Sequence, residues 1–292
     1  MPGRELDFCV GKFPAFKIPH YTRNGGETVW RFYLEVARTA FRRQLIYRWA
    51  NLAGLMTNIF FGAVFSYVII GLFHAHSAVN GYNVLDTLRY TWLVQSMIMI
   101  VLTFGWYDLM LTIRSGAVIS DMSKPCDFYW YWFSRECGRD LYFLIYRGIP
   151  TYIAGILLFG LGVPGDWRYW PAFLLSLALG SCFGIAYRVL YNAIAFWFLE
   201  ARGIGTMVVV VALFFTGSYV PVPLFPHWLL VIAQWLPFNA LLNVPAEILL
   251  DNVPAGTIAF ELARQFVWVI VFTLLVRLVI GRAARRVIVQ GG

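Results

Sequence analysis

Charge is what this chain has least of. Of its 292 residues only 13% are charged and 60% are hydrophobic, where a soluble domain carries about a quarter charged residues. That excludes a water-solvated globule and makes lipid the solvent for most of the chain. Cysteine is scarce as well: Cys9, Cys126, Cys137 and Cys182 form no CxxC pair, so they read as reduced, structurally passive thiols. No GxxxxGK[ST] loop is present, because Gly11-Lys12 has no glycine five residues before it, and nothing here cradles a nucleotide phosphate in the usual way. Of the histidines (His20, His74, His76, His227) only His74 and His76 lie close, without carboxylate neighbours, which reads as interface polarity rather than a metal site. No nucleophile, base and orienting acid cluster, so neither catalytic residues nor a bound metal or cofactor are expected.

Apolar length is what is present. A helix needs about 20 apolar residues to cross the hydrocarbon core. Leu52 to Phe73, Tyr90 to Ile113, Leu141 to Val163, Trp170 to Leu190, Ile204 to Val220 and Leu262 to Ile280 are read as six spans, the fifth of them short. The net charge is +8, and the basic residues cluster at Arg4–Arg48, Arg114–Arg147 and Arg277–Arg286. With a cytoplasmic N-terminus all three clusters fall inside, as the positive-inside rule requires, and the outer side keeps Arg89, Arg168 and Arg264. The charge therefore orients the protein and does not indicate nucleic acid. No cleavable signal is expected, since about fifty residues rich in Arg and Lys precede the first apolar run.

Residues 1–27, with Pro2, Pro14, Pro19, Gly25 and Gly26, read as an irregular cytoplasmic tail. From Val29 a helical period sets in. Val29, Tyr33, Val36, Ala40 and the Phe41/Leu45 pair make one stripe, and Arg31, Glu35, Arg38 and Arg42 the other. Residues 28–49 are thus an amphipathic helix lying on the inner headgroups of the membrane lipid. Trp170 to Glu200 predicts an unbroken helix of about 31 residues that overshoots the bilayer, with Arg188 snorkelling at the inner interface. Asp108 falls near the inner end of the second span. Residues 217–261 are apolar but interrupted by Pro221, Pro223, Pro226, Pro237, Pro245 and Pro254. Pro226 to Leu236 and Phe238 to Leu250 are each helical and each too short to cross, which predicts a re-entrant hairpin on the outer side.

Residues 113–140 form the inner loop between spans two and three. In it Ser123 is read as an N-cap, Pro125 as the first helical turn and Asp127 as favouring the helix dipole. The run Phe128-Tyr129-Trp130-Tyr131-Trp132-Phe133 divides between the headgroup belt and a protein surface. A surface helix, six spans, a short helix in this loop and a Pro-broken outer hairpin resemble the permease subunit of a type-2 ABC exporter. Two stretches carry the likeness. One is Gly116-x5-Met122-x2-Pro125 with the helix after it, similar to the coupling helix of that family. The other is Phe214-Phe215-Thr216-Gly217-Ser218, Pro221, Leu224-Phe225-Pro226-x-Trp228-Leu229, Leu236-Pro237-Phe238 and Pro245. The likeness covers roughly residues 28–285 and is greatest to the bacterial branch that includes antibiotic and viologen exporters. The long N-terminal tail and the aromatic coupling helix depart from the family pattern.

The resemblance implies an all-α polytopic protein whose six-span permease domain occupies residues 50–285, followed by a cytoplasmic tail at 286–292. It also implies the bacterial cytoplasmic (inner) membrane, with both termini inside. Two ATPase subunits, binding the ATP and Mg that this chain does not, would dock on a coupling site of Gly116, Met122, Lys124, Pro125, Asp127, Phe128, Trp130 and Arg135. A second permease, identical or paralogous, would face the first. The outer gate would comprise Gly217, Pro221, Phe225, Pro226, Trp228, Pro237, Phe238 and Pro245, hinged near Gly217 and Pro237. Met97, Val101, Phe214, Phe215 and Tyr219 would line a route for a lipophilic or amphipathic substrate, unless they are helix-packing core. An integral membrane enzyme acting on lipids and a non-transporting scaffold of the same fold are the alternatives.

Overall fold

The computed structural model describes residues 25–75, 78, 81–101, 105–198 and 200–284. Of the expected tail at 1–27, residues 1–24 lie outside the described residues, as do the expected tail at 286–292 and Cys9, His20 and His76, while residues 25–27 are already helical. The described residues are mostly helical: α1 (Gly25–Ile46), α2 (Arg48–Ala75), α3 (Val84–Val101), α4 (Asp108–Arg114), α5 (Val118–Met122), α6 (Phe128–Phe143), α7 (Ile149–Phe159), α8 (Trp170–Asn192), α9 (Arg202–Phe215), α10 (His227–Trp235), α11 (Asn239–Leu249) and α12 (Ala255–Ala283). A π-helical turn, Leu144–Gly148, joins α6 to α7, and 3-10 turns flank α8. The large exposed apolar side chains on α2, α7 and α12 (Phe60, Leu157, Leu274) are what a lipid-facing surface requires.

Among the described residues four helical stretches are long and apolar enough to cross a membrane: Arg48–His74, Phe128–Phe159, Trp167–Phe196 and Ala255–Ala283. Counting the bent pair α10–α11 as one broken span makes five. The expected second and fifth spans fall short of that test. The second ends at Val101, and Gly105 (φ +74) precedes a fresh helix at Asp108; a left-handed glycine interrupts the helical register. α3 also carries Asp86, Arg89 and Gln95, polarity it tolerates because most of its residues are buried by neighbouring helices. α9, at 14 residues, is about 21 Å long, well under the hydrocarbon thickness.

The third span starts far earlier than Leu141. From Phe128 to Phe159 the chain is helical for 32 residues, about 48 Å against a core of about 30 Å. The excess of about 18 Å, roughly twelve residues, projects beyond the hydrocarbon. The short helix expected after Pro125 is therefore the projecting end of this long helix. α1 packs along that projection with the two backbones in contact, since a Cβ on Gly138 would overlap the Ala37 carbonyl oxygen. Gly138→Val should push α1 off α6, and faster amide hydrogen exchange in α1 is the expected result; unchanged exchange would contradict this packing.

α8 is the axle of the bundle, packed on α12, α11 and α3, with Phe183, Ile185 and Val189 in the core. Val101 closes over Gly184, where a Cβ would overlap the Val101 carbonyl oxygen.

Candidate coupling site and outer hairpin

The loop between α4 and α6 builds its tip from short-range bonds. Gly116 takes φ +75, a conformation glycine adopts without strain, and turns the chain between α4 and α5. Ser115, Gly116, Ala117, Ser120, Ser123 and Pro125 are exposed. Lys124 Nζ donates to Asp121 Oδ1 at 2.6 Å and lies 3.9 Å from the centre of the Tyr131 ring. Burial disfavours its charge, but the bonds to Asp121 and Tyr131 outweigh that and hold its pKa above the ordinary lysine value. Met122 packs against the core.

The cap of α6 is Asp127, not Ser123: its Oδ1 accepts from the Trp130 backbone N–H at 3.0 Å. Pro125 consequently lies before the helix rather than in its first turn, because an extended Asp127 (ψ 125°) sits between them. Asp127 also accepts from Arg277 of α12 at 3.5 Å, and its N–H donates to the Tyr33 hydroxyl of α1 at 3.3 Å. Phe128, Tyr129 and Trp132 are buried, while Trp130 is exposed. Arg135 pairs with Asp108 of α4 at 2.7 Å and stacks over Trp132. Phe128, Asp127 and Arg135 thus all have partners within this chain.

One turn further along α6 lies a cluster whose importance the sequence reading missed. Arg188, expected to snorkel, is fully buried. It reaches Asp140 at 2.8 Å and Glu136 at 3.7 Å, and donates to the carbonyls of Ile100 and Val101 at 3.2 Å each. Arg139 pairs with Glu136 and lies 3.6 Å from Asp140, while Ser181 donates to Asp140 at 2.9 Å. Two arginines against two carboxylates leave the cluster neutral, which is what allows it to be buried. It joins α6, α8 and the end of α3. The signal was legible: Glu136 and Asp140 are spaced i, i+4 and so share a helix face, and a lone arginine in an apolar span needs such a partner.

At the opposite end, Gly217 (φ +81) turns the chain after α9 with the Tyr90 hydroxyl packed against it. Pro221 precedes a 3-10 turn, Phe225 is buried and stacks on Phe214, and Pro226 caps α10. α10 and α11 meet at an angle of 108° around Pro237, as expected of two helices too short to cross. Trp228 is exposed, Phe238 packs on Tyr187, and α11 runs through Pro245. Of the residues expected to line a route, Met97 and Val101 are enclosed in the core of this chain. Phe215 packs beside the buried Val222–Phe225–Ala233 cluster, and Phe214 and Tyr219 are exposed. Among the described residues no group of His, Cys, Asp and Glu is arranged to hold a metal ion.

These features define a multi-pass helical membrane protein with a long projecting helix at one end and a bent pair of apolar helices at the other. The family model described as ABC-2 family transporter protein matches residues 58–291, and the chain belongs to that family. Comparison with curated proteins and with solved structures gives no match.

Proposed function

We propose that this chain is the permease subunit of an ATP-driven exporter that moves a lipophilic or amphipathic substrate out of the cytoplasm or the inner leaflet. Membership of the ABC-2 transporter family supports the class. The observation that carries the mechanism is the continuity of Phe128–Phe159, which joins an exposed tip to the interior of the membrane in one helix. ATPase subunits, two per assembly, bind and hydrolyse ATP with Mg and press on the tip Gly116–Pro125. Asp127 and Arg135 hold the tip end of α6 to α12 and α4, so displacement there tilts α6 as a unit. The buried cluster of Glu136, Arg139, Asp140 and Arg188 passes that tilt to α8 and α3. A ligand bound only by the partner can bias such a two-state element.

A second permease, identical or paralogous, faces this one, and the hairpin of α10 and α11 is the outer gate, hinged at Gly217 and Pro237. Phe214 and Tyr219 are the wall residues left free to meet a substrate. The six-pass arrangement, with α3 and α9 completing the count and both termini inside the bacterial cytoplasmic membrane, follows from the basic clusters. Co-purification of an ATPase subunit, with hydrolysis stimulated by a lipophilic substrate, is the expected result; a chain isolated alone, and without effect on any added ATPase, contradicts the reading. For orientation, single cysteines are introduced as Lys124→Cys and Asp166→Cys after replacing the native thiols, since Cys126 adjoins the first position. An impermeant maleimide added to cells should label position 166 alone, and the opposite pattern overturns the orientation.

A further inference from the structure

A cavity of about 830 Å³ opens between α10, α11 and the first half of α12, large enough for a ligand of several hundred daltons. Its wall contains Glu247, Glu261, Arg264 and His227 among mostly apolar residues. Arg264 is engaged: it pairs with Glu261 and donates to the Gln234 carbonyl at 3.1 Å. Glu247 is over nine-tenths buried and accepts from the Tyr82 hydroxyl, with the Asn252 amide near the same carboxylate. Among the described residues no cationic side chain forms an ion pair with it. Glu247 Oε1 and Asn239 Oδ1, both on residues of the cavity wall, make no close hydrogen bond. Two carboxyl groups, those of Glu247 and Glu261, stand on the wall with one guanidinium, that of Arg264.

The two acceptor atoms left over, Glu247 Oε1 and Asn239 Oδ1, can take a donor from elsewhere, and a cationic donor would also stabilise the ionised form of the buried carboxyl group. The position narrows the choice. Glu261 and Arg264 are six and nine residues into α12, about 9 and 14 Å from its end, a depth where headgroups meet hydrocarbon. Trp235 stands on the wall, as tryptophans do at that interface. Deeper along α12 Val267 is exposed, an apolar side chain placed to meet an acyl chain.

We propose that this cavity seats the headgroup of an aminophospholipid. The ammonium lies toward Glu247 and Asn239, the phosphate toward Arg264, and the acyl chains along Val267. The chemistry required is an ammonium carried on an apolar body, which a free amphipathic amine also supplies, so the test separates the two. It is an equilibrium binding site and stands or falls apart from whether the protein transports.

The full-length protein, with whatever subunits co-purify, is placed in nanodiscs of equal phosphatidylethanolamine and phosphatidylglycerol, re-extracted, and its retained lipid quantified by mass spectrometry. Retained ethanolamine lipid should exceed glycerol lipid by about fivefold, falling to about onefold in Glu247→Gln at an unchanged melting temperature. Arg264→Gln, which removes a contact common to both lipids, should lower total retention and leave the ratio alone. Equal retention of the two lipids by the wild type, or a ratio that survives Glu247→Gln, overturns the proposal. So does Glu247-dependent binding of dodecylamine in discs that retain no ethanolamine lipid, which assigns the cavity to free amines instead.

Discussion

Arg188→Met should abolish recovery of folded protein. The substitution removes one of two positive charges from a buried neutral cluster and strands Asp140, which Arg188 meets at 2.8 Å. Breaking a buried pair by removing one partner costs about 3–5 kcal/mol, a large share of the roughly 5–15 kcal/mol that holds a typical domain together. Arg188 also donates to the Ile100 and Val101 carbonyls, so α3 loses a tie to α8 in the same step. A second substitution should reverse much of the damage. In Arg188→Met with Asp140→Asn one arginine again faces one carboxylate, Arg139 with Glu136, and the amide oxygen introduced by the second substitution can still accept from Ser181. Size-exclusion profiles and melting curves in detergent check both. A single variant that melts like the wild type, or a double variant no better than the single, would show that the cluster does not hold α6 to α8.

That cluster also marks where sequence reading stopped short. The spans that are continuous and lipid-facing, α2 and α12, were legible because exposure to hydrocarbon keeps charge out of their middle stretches. The hairpin was legible because Pro226 and Pro237 limit two helices to lengths that cannot cross, and α10 and α11 run from His227 and end at Leu249 accordingly. α3 was misjudged because burial inside the protein relaxes the demand for apolarity, so Asp86, Arg89 and Gln95 lie in a helix that hydropathy alone would start later. The continuity of α6 with α7 was hidden for the opposite reason. Ser134 to Asp140 reads as a polar loop, yet its charges pair inward with Arg188 and Asp108 or along α6 itself. Burial of Met97 and Val101 is a matter of tertiary packing that no local pattern records.

The second large effect concerns the link between the tip and the membrane. In Asp127→Ala with Arg135→Ala the cap of α6, its contact with Arg277 and its pair with Asp108 are all removed. The loss in stability is modest. A missing N-cap costs about 1 kcal/mol and a partly exposed ion pair at most about 1, and Asp108, half exposed, is left facing solvent rather than stranded. The permease should fold normally. What fails is rigidity at the point where a partner would push, so hydrolysis by the ATPase subunit should continue while substrate movement stops, or the ATPase should dissociate.

The central claim is that α6 carries motion from that tip into the membrane, and one measurement reaches it most directly. Substrate transport and ATP hydrolysis are recorded side by side in proteoliposomes holding either the wild-type assembly or the Asp127→Ala, Arg135→Ala variant. The account predicts that the variant loses transport at least about tenfold, the equivalent of about 1.4 kcal/mol of coupling, while its melting temperature stays within a few degrees of the wild type. Full transport with the ATPase still bound would contradict it and would place the coupling path outside the helix from Phe128 to Phe159.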